Sequence, residues 1–544
     1  MSEDKSNTFR QAIDRILAGI QVNITDDISE YSEALTQLNS ALDSSGVYGA
    51  RRVWLALQKT DAVPQLDDDE DIYPDADKYS EIYDEHDLRN IADYELTDFG
   101  QAEALVYIFK NRLRYAVGLG WIIWNSRRWV RDEQSAHIQF GWISARLRLK
   151  AMNYMLEQTD SEDNNDQKDA MRAIKFASSR RNLSKVKSAL ESASTMPFFV
   201  TQAGELDRDN FKIGVRNGVV NLRSGQLIPP QPADLITKRT NINYFENAPC
   251  PRWIQFLDEI FGGNQDLISY IKRAVGYMLT GDTREQCFFI LYGHGANGKS
   301  VFTDTLKKLL GDYGTSVEFK TFTGSASTVG DDLAPLRGVR MTVSAESNKG
   351  SRLDEGLIKQ VTGGDEVRVR YLHGKYFTYQ PQFKIILMTN HKPIIVGTDK
   401  GIWRRVKMIP FNQTFEGKTA DKQLPDKLQA ELSGILAWAV EGVQEWLTHG
   451  LEMPESIKLA TEAYRQEMDT VGLFIDEVCV TENRNYTVTK SQLYKEYKAW
   501  CDDGGLHNLS KPNFRLNLIE RGFQEGRGHG GKRIWKGIGI LASE

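Results

Sequence analysis

The sequence predicts a multidomain α/β protein: a three-layer α/β domain at its centre, α-rich regions before it and a compact helix-helix-hairpin module after it. Three observations carry that reading. The 544 residues exceed what one hydrophobic core organises, since single cores stop growing beyond about 250–300 residues. From Trp253 to about Gly450, helical stretches alternate with the short runs FFILY, RMTVSAE and KIILMTN, the pattern of a largely parallel sheet covered by helices. Between the first of these runs and a helical pattern stands GHGANGKS, Gly293 to Ser300. The expected divisions are 1–95, a helical region with an acidic linker; 96–250, an associated α-rich domain; 251–450, the α/β domain; and 451–544, a linker helix and the C-terminal module.

The N-terminus, MSEDKSNTFR, places charges where a secretory signal needs an apolar stretch. The longest near-apolar run, Ala116 to Trp124, is far short of the roughly 20 residues that cross a bilayer. A cytoplasmic protein without a membrane partner is therefore expected. Cys250, Cys287, Cys479 and Cys501 include no Cys-x-x-Cys pair, which argues against a zinc knuckle or a disulfide framework. Helical pieces at Phe9 to Ile20 and Tyr48 to Leu57 precede DDDEDIYPDADKYSEIYDEHD. Consecutive acids point in all directions, which suits a solvated linker rather than paired metal carboxylates. Positions 61–90 hold twelve Asp/Glu against Lys78 and Arg89, so the net charge of −6 leaves +4 on the remainder. An acidic total is thus compatible with a polyanion partner, because clustering matters and not the sum.

Between Leu96 and Tyr244 two inserts look like strands. WIIWNSRRWVRD is the first, and IGVRNGVVNLRSGQLIPP reads as hairpins turned by Asn217-Gly218 and Ser224-Gly225.

GHGANGKS satisfies G-x-x-x-x-G-K-[ST] in the right setting. Cys287 to Tyr292 has a buried-strand pattern, and Val301 to Leu310 continues as a helix with Leu306, Leu309 and Leu310 on one side. A glycine-rich loop at a helix N-terminus lets backbone N–H groups and the helix dipole meet phosphate oxygens. The expected ATP-binding set is Gly293, Gly295, Ala296, Asn297, Gly298, Lys299, Ser300 and Val301. Lys299 reaches the β and γ phosphates, and Ser300 offers its hydroxyl to Mg²⁺. A turn that merely tightens a strand-helix junction does not explain Lys299 followed by Ser300.

Two further strands end in candidate catalytic groups. Val339 to Ala345 leads to Glu346, an acid able to polarise water and to hold Mg²⁺. Phe383 to Met388 leads through Thr389 to Asn390, an amide able to sense a γ-phosphate. GIWRR then supplies Arg404 and Arg405, guanidinium groups suited to a phosphoryl-transfer transition state in a neighbouring copy.

The stretch from Arg340 to Phe411, through RMTVSAESNKG, KIILMTNHKP and GIWRRVKMIPF, resembles the superfamily 3 helicases, in the phage and plasmid primase-helicase branch shared with poxviruses. The resemblance runs from roughly Thr97 to Trp535 and includes WIIWNSRRW, RNGVVNL, AYRQEMD and GKRIWKGI. It implies a homo-hexameric, AAA+-like ring that moves 3′→5′ along one DNA strand. Glu346 falls on the Walker B acid and Asn390 on sensor 1. Either arginine of GIWRR fits the finger, with Arg405 favoured because it directly precedes the strand Val406 to Pro410. The single Walker B acid departs from the usual pair and leaves open whether Glu346 is both base and metal partner. EVRVRYLHGKYFTY resembles the hairpin that points into the ring channel, with Arg370, His373 and Lys375 placed to hold DNA phosphates.

The segment from Arg484 to Lys536 carries eleven Lys/Arg against five Asp/Glu. TKSQLYKEYKAW and LSKPNFRLNLIERGF read as two helices, the second opening near Ser510 with Pro512 in its first turn. GRGHGGKRIW has the composition of the wing of a winged helix. In that arrangement Asn513 and Arg515 face a groove, while Arg527, Lys532 and Arg533 touch phosphates.

The function expected from these features is an ATP-dependent DNA helicase replicating a phage, plasmid or mobile genomic island, with single-stranded and forked DNA as partners. The alternative is an origin-binding initiator whose nucleotide site acts as an assembly switch. The N-terminal part lacks primase carboxylate and His motifs, so a separate primase or polymerase is expected.

Overall fold

The computed structural model describes residues 74, 83–158, 164–323, 332–345, 350–371, 376–397, 399–417 and 420–541. The helices predicted at Phe9 to Ile20 and Tyr48 to Leu57, and most of the acidic stretch, lie outside them. The protein is a multidomain α/β chain with helices and a parallel sheet. It divides into two compact units, one drawing on Met1–Tyr115, Trp121–Val200 and Leu227–Asp234, the other on Ala116–Gly120, Thr201–Gln226 and Leu235–Glu544.

The first unit runs α1 (Glu85–Asp93), α2 (Asp98–Phe109), β1 (Leu113–Ala116), β2 (Gly120–Trp124), β3 (Trp129–Arg131), α3 (His137–Glu157), α4 (Asn164–Ser179), α5 (Leu183–Ala193) and β4 (Val200–Thr201). The end of the acidic stretch is helix and not linker. Asp84 caps α1 by accepting the Asp87 N–H at 2.9 Å, and Glu85 and Asp87 occupy the first turn, where the helix dipole favours acids. Leu105, Phe109, Phe140, Leu147, Val186 and Leu190 from α2, α3 and α5 make the core. The sheet order is β3-β2-β1-β4. The insert WIIWNSRRWVRD is a β2–β3 hairpin, turned where the Asn125 side-chain oxygen accepts the N–H groups of Arg127 and Arg128.

The second unit opens with β5 (Lys212–Val215) and β6 (Gly218–Asn221), and β7 (Gln226–Ile228) begins in it and ends in the segment Leu227–Asp234 of the first. Val215 pairs with Gly218, so the tight loop is Arg216-Asn217 and the predicted turn shifts by one residue. Then come α6 (Pro251–Phe261), α7 (Gln265–Leu279), β8 (Phe288–Tyr292), α8 (Lys299–Leu310), β9 (Gly314–Ser316), β10 (Met341–Ala345), α9 (Glu355–Gly363), β11 (Val367–Val369), β12 (Phe377–Tyr379), β13 (Lys384–Thr389), α10 (Lys400–Trp403), β14 (Val406–Pro410), α11 (Leu424–Ala430) and α12 (Leu432–His449). The central sheet has the order β14-β8-β13-β10-β9 and its strands pair in parallel. Phe288 to Leu291 and Ile385 to Leu387 are buried, the continuous apolar runs of strands covered on both faces. α7 meets α12 at a pair of glycines. A Cβ on Gly276 would lie 2.3 Å from the backbone of Gly442 and Val443, so no larger residue fits that crossing.

Two basic side chains are buried at the start of neighbouring strands, where Met341 pairs with Lys384. Arg340 donates to the carbonyls of Leu279 (2.5 Å), Lys212 (2.5 Å) and Asp209 (3.3 Å). Lys384 donates to Thr280, Gln382 (3.0 Å) and Asp282 (3.3 Å). Burial, and secondarily the charge of Arg340, push the Lys384 ammonium well below its usual pKa of 10.5. An unfolded lysine therefore binds a proton in a window where the folded one has released it, and stability rises with pH across that window. Stability is fully present above 10.5 and declines as pH falls toward the folded-state value. Denaturant titrations at a series of alkaline pH values should show this slope, up to about 1.4 kcal/mol per pH unit, reduced in Lys384→Met. An identical slope in that variant would contradict the assignment.

The chain continues through α13 (Glu455–Met468), α14 (Thr470–Val478), β15 (Cys479–Val480), β16 (Thr487–Thr489), α15 (Lys490–Asp503), α16 (Lys511–Glu520), β17 (Gln524–Arg527), β18 (Arg533–Lys536) and β19 (Gly539–Ile540). β16, β18 and β17 form a three-stranded sheet that shares a core of Phe474, Tyr497, Phe514, Leu518 and Trp535 with the helices. Ser510 holds the position before α16 with Pro512 in its first turn, but its side chain makes no capping hydrogen bond.

Candidate functional site

Parallel strands send all their C-terminal ends to one edge of a sheet, and that edge brings the glycine-rich loop and Asn390 together. β8 ends at Tyr292 and the chain turns through Gly293–Gly298 into α8. Gly298 has φ 85° and stands at the cap of α8, a conformation glycine adopts without cost. Its missing side chain also matters, because a Cβ would meet Ile260 at 2.7 Å. Asn297 is buried and its amide donates to the Phe411 carbonyl at 3.4 Å. Gly295 and Ala296 are exposed, as is Ser300 in the first helical turn, and Val301 is half-buried.

Lys299 is only 7% exposed. Its ammonium donates to the Gly293 carbonyl at 2.5 Å and to Asn390 Oδ1 at 3.1 Å, and burial lowers its pKa. The loop and the end of β13 are thus joined through one cation, a link the sequence did not disclose. β13 lies between β8 and β10, and Ala345 ends β10 at the same edge. Glu346, which follows it, lies outside the described residues, as do His373 and Lys375. Among the described residues no group of three or more His, Cys, Asp or Glu could hold a metal ion.

Arg404 and Arg405 are at the other edge. β14 runs parallel to β8 from Val406 opposite Phe288, and the Phe288 N–H donates to the Arg405 carbonyl at 2.9 Å. A five-residue strand separates them from the loop, about 16 Å along the sheet. The two arginines differ in surroundings. Arg405 is 8% exposed and donates to Thr362 Oγ1 (3.1 Å) and the Gly401 carbonyl (2.6 Å). Arg404 is exposed and donates to Gln286 Oε1 at 2.5 Å.

β11 and β12 form an antiparallel hairpin with Val367, Val369, Phe377 and Tyr379 buried. The alternation puts Arg368, Arg370 and Tyr376 on the exposed side. Both guanidinium groups lie over the Tyr376 ring, 4.9 and 5.0 Å from its centroid, and Tyr376 is 54% exposed. Of these three the sequence reading named Arg370, beside His373 and Lys375; the period of two in EVRVR was the available signal for Arg368.

In the C-terminal module Arg527 pairs with Arg533 across β17 and β18, and both are exposed together with Lys532. Arg515 makes two bonds to Glu525, 2.6 and 3.0 Å. These and the Lys490 bond hold the Glu525 carboxyl down at about 2. Asn513 lines a cleft of about 1150 Å³ with Lys320, Arg352, Glu355 and Asp399. No helix among the described residues is long and apolar enough to cross a membrane.

Residues 102–262 match the family described as D5 N terminal like, residues 291–405 a family of unknown function (DUF5906), and residues 466–531 the family described as poxvirus D5 protein-like. A protein of Acanthamoeba polyphaga mimivirus provisionally named helicase L207/L206 is 30% identical over 320 residues, 54% of this chain and 33% of its own. A protein of African swine fever virus provisionally named primase C962R is 25% identical over 325 residues, 54% of this chain and 34% of its own. The chain spans about a third of the length of these relatives. The apo structure of the NrS-1 C terminal region covers 55% of this chain and 78% of its own at 13% identity and a TM-score of 0.36, too slight a likeness to add to the assignment. With D5-type segments matched on both sides of its parallel sheet and relatives named helicase or primase in large DNA viruses, the chain is similar to the D5-type primase-helicases, consistent with superfamily 3.

Proposed function

We propose that the chain is an ATP-dependent DNA helicase that works as a ring of identical copies, moves 3′→5′ on a single strand and replicates a virus, phage, plasmid or mobile island. The observation that carries the reading is the division of the site between opposite edges of one sheet. Gly293 to Ser300 and Asn390 occupy one edge and Arg404 the other, so an arginine of this chain suits the nucleotide of a neighbouring copy.

The loop fits a triphosphate. Gly293, Gly295, Ala296, Asn297 and Gly298 lead into the N-terminus of a twelve-residue helix, where N–H groups and the dipole favour anions. Lys299 supplies a buried cation and Val301 extends the first turn. Ser300 and Glu346 would hold Mg²⁺, which when bound neutralises phosphate charge. Asn390, already within reach of Lys299, suits the orientation of a water beside the γ-phosphate. Of the two arginines, Arg404 is the better finger, because Arg405 commits its guanidinium to Thr362 and Gly401 and serves to stiffen the turn before β14. The hairpin β11–β12 supplies the moving DNA contact through Arg368, Arg370 and Tyr376, joined by His373 and Lys375 from the sequence between its strands. Arginine and aromatic groups together grip a strand without reading its sequence. The C-terminal module suits a winged helix that sets Arg527, Lys532 and Arg533 on phosphates, whereas Arg515 is neutralised by Glu525.

The test is ATP hydrolysis with and without an oligo-dT strand, for wild type, Arg404→Ala, Arg405→Ala, Lys299→Ala and an equal mixture of Lys299→Ala with Arg404→Ala. DNA-stimulated turnover, lost in the single Lys299 and Arg404 variants and partly regained in the mixture, is expected. Wild-type protein that binds nucleotide and assembles without turning it over would replace the motor with an assembly switch.

A further inference from the structure

We propose that α9 is a connecting rod between the arginines before β14 and the hairpin β11–β12 of the same chain, with Gln286 as the positioning residue that couples them. One face of the helix is bonded to the arginine segment. Glu355, Lys359 and Thr362 stand at i, i+4 and i+7 and so share that face. Glu355 Oε1 accepts the N–H groups of Val396 at 2.9 Å and Gly397 at 2.7 Å. Lys359 donates to Asp399 at 2.9 Å, and Asp399 caps α10 through the N–H groups of Gly401 and Ile402. Thr362 accepts from Arg405 Nε at 3.1 Å. Position 397 requires glycine, since a Cβ there would lie 2.2 Å from Glu355 Oε2. Leu357, Ile358 and Val361 already anchor α9 by burial, so the polar bonds are additional to its packing.

The C-terminal end of the helix carries the hairpin. Gly364, Asp365 and Glu366 alone separate α9 from β11. Gln380, the residue after β12, donates to the Gly364 carbonyl at 3.0 Å, which closes the base of the hairpin on the helix cap. Gln286 joins this end to the exposed arginine. Its Oε1 accepts from Arg404 at 2.5 Å, and its Nε2 donates to the Gly363 carbonyl at 3.4 Å. Both bonds come from one planar amide, so a displacement of Arg404 is passed to the end of α9. The backbone of Gln286 is held at φ 47°, a left-handed conformation uncommon outside glycine that persists where the surroundings fix it and that gathers at functional positions.

The consequence is directional. An arginine drawn toward the nucleotide of the next copy shifts the strand contact of its own copy. The hairpin therefore follows the neighbour's nucleotide and not the one bound beside Lys299 of the same chain.

The rod rests on the motor reading, so ATP turnover is measured beside coupling. Full-length protein is titrated with fluorescent oligo-dT, with and without a non-hydrolysable ATP analogue. The comparison covers wild type, Gln286→Ala/Thr362→Val, Glu355→Ala and Glu355→Gln, whose amide oxygen still accepts both N–H groups. The analogue should change wild-type DNA affinity by about tenfold, within the usual range for coupled sites. In the double variant and in Glu355→Ala the change should fall below about twofold, with the analogue bound as in wild type and DNA bound normally in its absence. Glu355→Gln should restore it. Coupling absent from wild type, or kept in the double variant and Glu355→Ala, with turnover intact, overturns the rod and leaves the motor standing. A wild type with neither turnover nor coupling overturns the motor reading and the rod with it. DNA binding weakened equally with and without the analogue would make these bonds purely structural and also overturn the rod.

Discussion

Lys299→Ala is expected to lower ATP turnover by at least a hundredfold, the range seen when a preorganised charge-stabilising group is removed from a water-poor site. The reasoning starts from burial. The ammonium is already desolvated and already sits between two oxygens, Gly293 O and Asn390 Oδ1, so presenting it to a phosphate requires little further reorganisation. Alanine removes the cation and leaves Asn390 without that partner. Arginine should not rescue, because a planar fork cannot fill a space shaped for one point donor between acceptors at 2.5 and 3.1 Å. Steady-state hydrolysis alongside binding of a fluorescent nucleotide separates lost chemistry from lost affinity. Turnover within tenfold of wild type would remove Lys299 from the proposed site.

Arg340→Met should destabilise the second unit by about 3 kcal/mol. Three carbonyls from two separate segments converge on the guanidinium, and Tyr313 lies beneath it, 4.6 Å away. Each buried acceptor left without its donor costs about 1–3 kcal/mol, while relief of a desolvated charge returns part of that sum. Lysine at 340 should help little, since one ammonium cannot replace two diverging amines. A chain of several domains is not two-state, so the readout is a shifted urea midpoint together with faster amide exchange in β5, whose Lys212 carbonyl takes one of the bonds. A midpoint displaced by less than about 0.5 kcal/mol, within the scatter of ordinary surface changes, would show the three bonds to be replaceable.

Local patterns were legible in the sequence and long-range partners were not. β14 spans Val406–Pro410 as read, and the strand, loop and helix around Lys299 agree to within two residues, because apolar runs and glycine chemistry act over a few positions. The alternation of EVRVR and KYFTY marked the two-stranded arm that β11 and β12 form. By contrast, the composition rule that places lysine and arginine on surfaces misleads at Arg340 and Lys384. Only the pairing of β10 with β13 brings them to a place where carbonyls from three distant segments gather. Arg515 read as facing a groove, yet Glu525, ten residues on, folds back along β17 to neutralise it. Asn513 likewise faces a cleft lined by residues more than a hundred positions earlier.

The distance between Arg404 and the loop of its own chain has a hereditary side. Under the proposed arrangement every catalytic pocket is the joint property of two polypeptides, and every polypeptide serves two pockets. A cell carrying one sound and one defective gene would then make mostly mixed assemblies, and the defective allele would behave as dominant. An element that encoded a finger-less copy of this chain could therefore suppress a relative replicating in the same host.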